Sequence, residues 1–237
     1  MMGKSHAASG AVVFLGLDLF LGHSLLALAP GTVIGIGAAL LPDIDEPGSS
    51  VAHSFGFVTE IVAVVTRKVF GGHRHGTHSL VGVGIVGIVA FLCSLSPIAV
   101  GVLTFFFGTV VYRTLTRHLG PWWPQFILRL GISVLASVTV GPLVLVAAIM
   151  SGVVVHIMGD YLTVGGVPLL WPAPHFYSTP LLGHTDSFRE HVVHIVLLLA
   201  SAFLLVALIH GSYLPSQLSQ LDQSLLRVQL GIRSVLR

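Results

Sequence analysis

Charged side chains are scarce in this sequence: Asp, Glu, Lys and Arg together make 8% of its 237 residues, where a soluble domain carries roughly 25%. That shortfall excludes an ordinary water-soluble globule. A disordered tail is excluded as well, because it needs high charge and little apolar surface. Neither sign dominates. Eleven basic against nine acidic residues leave a net charge of +2, so the pI near 9.0 reflects few charges of any kind and not a basic patch, and nucleic acid drops out as a partner. Cysteine is almost missing: Cys93, in the apolar run around Phe91 and Leu92, cannot form an intrachain disulfide and leaves the redox compartment open.

What the chain has instead is apolar length and histidine. Its hydrophobic fraction of 54% and mean hydropathy of +0.94 give more apolar surface than one core of this size can hide, which puts the chain in a bilayer. Lys4, the apolar run after it and Ala27-Leu28-Ala29 imitate a secretory signal with its cleavage site. Signal h-regions run only ~7–15 residues, however, and this region stays apolar through Leu41, so it reads as a retained membrane helix.

Runs of ~17–25 apolar residues are needed to cross a hydrocarbon core, and Gly, Pro and polar clusters mark the breaks between them. They predict an all-α, polytopic membrane bundle of six to seven helices. Spans run from about Ala7 to Leu21, Leu25 to Leu41, Leu80 to Leu95, Ile98 to Thr116, Phe126 to Val140, Leu143 to Asp160 and Val192 to Leu208. The first turn falls at Gly22-His23-Ser24, with Pro30 and Gly31 as a kink, and far-side turns fall at Ser96-Pro97 and Gly141-Pro142. An amphipathic stretch, Phe55 to Phe70, lies on the surface. Residues 1–212 form the membrane-embedded domain; 213–237 form a separate amphipathic segment with Leu218, Leu221, Leu225 and Leu226 on one side.

Counting crossings brings His6, Asp43 and Asp45, the run His73-Arg74-His75-Gly76-Thr77-His78, and His156 with Asp160 to one membrane face. Basic residues fall seven to three on that face: Lys4, Arg67, Lys68, Arg74, Arg113, Arg117 and Arg189 against Arg227, Arg233 and Arg237, with Arg129 unassigned. The bias places the site face in the cytoplasm of an inner or plasma membrane.

There are thirteen histidines. His23, His118 and His210 fall in no motif and read as structural or interfacial. A lone His6 near the start could be interfacial too, and Asp43 and Asp45 after Pro42 could simply stop a helix. His156 and Asp160 resist that reading, because i,i+4 spacing puts both on one face of an apolar helix, where ionisable groups need a partner. Imidazoles and carboxylates without thiolates suit zinc, manganese or iron in a hydrolytic site, and a cation explains how several of them gather beside lipid. Of Asp43 and Asp45, two apart, one would face the cation and the other would orient a histidine. Thr77 is the candidate N-cap of the following helix, whose first N–H groups, with Arg74, would receive an anionic oxygen.

On these residues the chain resembles the YdjM-like family of LexA-binding, inner-membrane-associated metal-dependent hydrolases. The resemblance spans Lys4 to Glu190. It rests on His6, on LPDID (Leu41 to Asp45) with Ser49 or Ser50 after it, on HRxxTHS (His73 to Ser79), and on HxxxDxxT followed by GVPLLWP (His156, Asp160, Thr163, Gly166 to Pro172). The family in turn looks like a membrane relative of the zinc phospholipase C and P1 nuclease group. That resemblance implies His6, Asp43, His78, His156 and Asp160 as ligands of a divalent metal, zinc foremost and two ions in number. The group's further HxxxE pair has no counterpart, since His184 and Glu190 stand six apart. Asp45 and Arg74 are the catalytic candidates, with Asp43 or Asp45 taking the water's proton and Arg74 stabilising charge on substrate oxygens; His73, His75 and Glu190 are lesser candidates. The function implied is metal-assisted hydrolysis of a phosphoester or ester in a lipid-like substrate. A metal-binding transporter or sensor competes with it, as does a regulatory scaffold for a partner such as the repressor in the family's name.

Overall fold

The computed structural model describes residues 1–21, 24–115 and 122–235, and side chains as far as 211. Gly22, His23, Arg117, His118 and Arg237 lie outside the described residues, as does the apolar face expected on 216–237. Among the described residues the chain is all-α: α1 (Gly3–Leu21), α2 (Leu25–Ala38), α3 (Phe57–Val69), α4 (Leu80–Ser94), α5 (Pro97–Leu115), α6 (Trp122–Thr139), α7 (Pro142–Tyr161) and α8 (Phe188–Val235), with no strand beyond two isolated bridges in the loop before α8.

The local signals act where elementary chemistry places them. Pro97 and Pro142 open α5 and α7, at first-turn positions where the missing N–H costs nothing. Pro30, inside α2, does cost a bond, because the Leu26 carbonyl one turn back loses its donor; the Thr139 hydroxyl of α6 approaches that carbonyl at 3.4 Å. Pro42 turns the chain into a short 3-10 turn, Leu41–Asp45, directly after α2.

Helices α2 and α7 form the centre. α2 packs on α1, α5, α6 and α7, and the backbones of α1, α2 and α7 meet at Gly35: a Cβ on Gly10 or on Gly152 would lie 2.6 or 2.5 Å from the Gly35 carbonyl oxygen. Large apolar side chains point outward from α3, α4, α6 and α8, among them Phe57, Ile88, Val138 and Phe203. Such faces are suited to lipid. On α3 the inward residues are the small Thr59 and Ala63 while Val58, Ile61, Val62 and Val65 face out, as expected of a helix lying in the membrane interface.

Among the described residues, three helices are long and apolar enough to cross a membrane: α5, α7 and the first part of α8, Phe188–Gly211. α2 and α4, with 14 and 15 residues, rise only about 21–23 Å at ~1.5 Å per residue, so the even set of spans read from the sequence is uneven in the fold. The backbone of α8 runs from Phe188 to Val235, across residue 212.

Alternation of direction brings the start of α1, the end of α2, the start of α4, the end of α7 and the start of α8 to one end of the bundle. Cysteines placed at Ser49 and Ser178, in a Cys93→Ser background, are therefore expected to react with an impermeant maleimide from the same side of the membrane, and one at Ser96 from the other. Opposite-side labelling of Ser49 and Ser178 would contradict the arrangement.

Candidate metal centre

Each helix end delivers a side chain for a local reason. His6 lies one turn into α1. The 3-10 turn after Pro42 presents Asp43 and Asp45 in different directions. On α7, residues 152, 156 and 160 form one stripe, so the glycine that lets α7 approach α2 sets His156 and Asp160 at the junction. The segment 70–78 folds back over them: Gly71 and Gly72 adopt positive φ, as does Arg74 at φ 57°, where a side chain is strained.

The side chains meet in a buried cluster. His6, His78, His156 and Asp160 are each at most 1% exposed, whereas the Asp43 side chain keeps 23%. His78 Nε2 and His156 Nε2 lie 3.0 Å apart, and Asp43 Oδ1 is 3.6 Å from both. Asp160 Oδ2 is 3.6 Å from His78 Nε2 and 3.8 Å from His156 Nε2, and its Oδ1 is 3.4 Å from His6 Nε2. The His6 ring stacks on His156 at 3.7 Å, and neither of its nitrogens has a hydrogen-bond partner among the described residues.

The outer atoms fix which nitrogens face inward. His156 Nδ1–H donates to the Ala39 carbonyl at 2.7 Å. His78 Nδ1–H donates to the Thr77 hydroxyl at 3.0 Å, and that hydroxyl donates to Asp45 Oδ2. With both rings neutral, the two Nε2 atoms would present lone pairs to each other and to a carboxylate; the arrangement calls for a positive charge between them, supplied by a proton on one Nε2 or by a metal ion. Ligands held at ~2.0–2.1 Å around a tetrahedral ion are themselves about 3.3 Å apart, close to the spacings found. Two sets lie within reach of one ion each, His6–His156–Asp160 and Asp43–His78–His156. They share His156, whose Nε2 has one lone pair to give.

Outside the helices the electrostatics couple the two aspartates to the histidines around them. Burial opposes charge on Asp43, but His156, His78 and His6 hold its carboxyl well below the ordinary range. Asp45 is likewise buried and is held low by His73, His78 and Thr77. Burial disfavours a charged His78, yet hydrogen bonding and attraction from Asp43 and Asp45 raise its pKa to about 9.

Asp45 is fully buried and faces away from the ligand cluster. It accepts from His73 Nδ1 at 2.8 Å, from the Arg74 amide at 3.1 Å and from Thr77, pinning the whole 73–78 segment. Of the two roles open to the aspartate pair, Asp45 has the geometry for orienting and Asp43 that for facing the cation. Arg74 Nη2 donates to Asp160 Oδ1 at 3.1 Å, and its Nε lies 3.0 Å from Oδ2 as an ion pair. The Met1 amino group also contacts Asp160 Oδ1. His73 lies at the cluster's rim; His75 turns away, against the His73 carbonyl and the Phe176 ring. Glu190 is buried off the cluster, accepting from the amides of Met2 and Asp186.

Thr77 does not cap α4. Ser79 does, accepting from the Gly82 amide, because the Thr77 hydroxyl is engaged by Asp45. The amides of His78 and Ser79 bond the carbonyls of His75 and Gly76 and so are not free for an anion. The Ala39 carbonyl has no side-chain signature and could not be read in advance, whereas Ser79, three residues before Gly82, was a legible cap.

A cleft of about 500 Å³ opens over the cluster, lined by Asp43, Glu46, Ser49, His73, Arg74 and Thr185 among others. The sequence model for the family described as YdjM inner membrane protein matches residues 1–218. YvsG of Bacillus subtilis (strain 168), described as an uncharacterized protein, is 28% identical over 211 residues, covering 89% of this chain and 98% of its own. No solved structure matches.

Proposed function

We propose, from the premise that the chain belongs to the YdjM inner membrane protein family, that it is a membrane-bound metal-dependent hydrolase acting on a phosphoester or ester of a lipid-like substrate. The observation carrying this reading is the pair of inward Nε2 atoms 3.0 Å apart, each fixed by an outer hydrogen bond, beside Asp43 and Asp160 at the floor of a cleft. Asp43, His78 and His156 would hold a divalent ion, with Asp160 and His6 adjoining; zinc fits the donors best, ahead of manganese and iron. Sharing of His156 favours one fully protein-held ion over two. When bound, the ion supplies Lewis acidity that draws the pKa of water toward neutrality and polarises the scissile oxygen.

The chain's own residues do the rest. Asp45 and Thr77 keep His78 in the right tautomer, the Ala39 carbonyl does so for His156, and Arg74 holds Asp160 in place. Asp43 is the most exposed of the cluster; with Oδ1 facing the two Nε2 atoms, its other oxygen is left to take the proton of the attacking water. As the water oxygen bonds to phosphorus or to the acyl carbon, the ester bond breaks and the departing oxygen receives that proton. The basic bias of this end supports a cytoplasmic site face.

The ionisable residues of the cluster gather at one end, which supports a hydrolytic site over a cation path; a path needs such groups at intervals through the bilayer. The test is metal-stripped protein in detergent, titrated with zinc or manganese and assayed against phosphoesters and acyl esters. Turnover should return with metal. A metal-loaded protein inert toward every ester tried would move the weight to a transporter, sensor or scaffold. Asp45→Asn should keep the fold but weaken metal affinity by ~10–100-fold, the scale for a residue that orients a ligand. Unchanged affinity measured by competition with a chelator would remove Asp45 from that role.

A further inference from the structure

On the lipid side of the cluster, between α1, α7 and α8, lies a second cavity of about 680 Å³, within the ~300–1,000 Å³ range of ligand pockets. It differs in kind from the cleft above the aspartates. Its walls are apolar, with Val155, Met158, Leu162, Val193 and Leu197 among them, and Arg189 is the charged residue at its lip. Met158 and Phe188 beside it are 58% and 82% exposed on the outward face of the bundle, so it opens where lipid chains would lie.

Two features join this cavity to the metal centre. Met1 lines both it and the polar cleft. Gly159, also in its wall, stands between it and His6: a Cβ there would lie 3.0 Å from Met1 Sδ and 3.2 Å from His6 Cε1. The wall between the apolar cavity and the ligand cluster is thus one glycine and one thioether thick. Arg189, at the start of α8, bonds the Leu181 carbonyl at 3.3 Å, and it sets a positive charge at the end where an anionic headgroup would sit.

The geometry points to a lateral binding site for the acyl chain of a phosphate-headed lipid, seated between α7 and α8 with its head at Arg189 and its ester linkage toward Asp160. This names the substrate class of the proposed hydrolase and rests on that reading, but chain binding itself requires no turnover.

The probe is phosphatidic acid with a diazirine in its acyl chain, photolysed in nanodiscs with the full protein and mapped by peptide mass spectrometry. Labels are expected on 155–162 and 188–197, falling about tenfold in Val193→Trp and in Leu197→Trp, which fill the cavity. Both variants should keep wild-type metal content; two positions guard against one failing to fold. Arg189→Ala should reduce labelling by phosphatidic acid and spare a phosphatidylcholine probe. Labels spread evenly over the outward faces of α3, α4 and α8, or unchanged in both tryptophan variants, would overturn the site. Failure of the hydrolase reading would show separately, as a wild type labelled at α7 and α8 but inert toward every ester.

Discussion

His156→Ala is expected to bring copurifying divalent metal from near one equivalent to background, because this residue alone belongs to both ligand sets. The loss should exceed the ~10–100-fold weakening that follows removal of an orienting partner. Metal analysis of the detergent-purified variant reads it, and hydrolysis should fall with it. His156 is also fully buried, bonds the Ala39 carbonyl and stacks on His6, so a folding defect must be separated from a metal defect. Thermal unfolding of the stripped proteins makes the separation, since a site defect leaves stripped wild type and variant alike. His75→Ala, whose ring points away from the cluster, should keep its metal. Undiminished metal in His156→Ala would end the site assignment.

The second large effect is expected at a residue with no side chain. A Cβ on Gly152 would sit 2.5 Å from the Gly35 carbonyl oxygen, 2.7 Å from the Ala39 amide nitrogen and 2.9 Å from the Ala38 Cβ. Two of those atoms are backbone and cannot rotate aside. Overpacking a core costs ~1–3 kcal/mol and occasionally more, and here relief requires α7 to move off α2, taking His156 away from the Ala39 carbonyl. Gly152→Val should therefore lower the unfolding temperature by ~10 °C or more and weaken metal binding together. A methyl group on Gly84 or Gly131 would meet nothing within 4 Å among the described residues, and alanine there should be neutral or stabilising by up to ~1 kcal/mol through helix propensity. Equal unfolding temperatures for Gly152→Val and Gly84→Ala would refute the account.

What could be read in advance was whatever a single residue or a fixed spacing encodes. The four-residue step from His156 to Asp160 specifies one helix face wherever the helix lies, and Pro97 and Pro142 mark helix starts by their own covalent geometry. Convergence of the segments carrying His6, Asp43, His78 and Asp160 followed from counting crossings, and their side chains do meet. Division of labour between Asp43 and Asp45 was not legible, since it depends on which partners the folded 73–78 segment brings: His73, the Arg74 amide and Thr77 all reach Asp45. Arg74 illustrates the same limit. Its charge was evident, but that it would bond Asp160 depends on a backbone reversal at φ 57°. Helix lengths failed for a related reason. Apolar runs show where a span could be, while the Pro42 turn and the packing of α2 against its neighbours decide where the helix stops.

The shortness of α2 sets the depth at which chemistry would occur. Gly35 and Gly152 face each other near the middle of the bundle, and one turn further on His156 meets Ala39. Along α7, a helix of 20 residues, His156 comes about 21 Å from the far end at ~1.5 Å per residue. With Pro142 at the far edge of a hydrocarbon layer of ~30 Å, the cluster would lie roughly a turn and a half beneath the near surface, toward the level at which lipid esters meet their chains. An enzyme working from the aqueous phase must draw its lipid upward, at ~0.8 kcal/mol for every methylene exposed. On the proposed reading the aqueous phase would descend to the lipid through the polar cleft, the chain would stay in the bilayer, and that extraction cost would not be incurred.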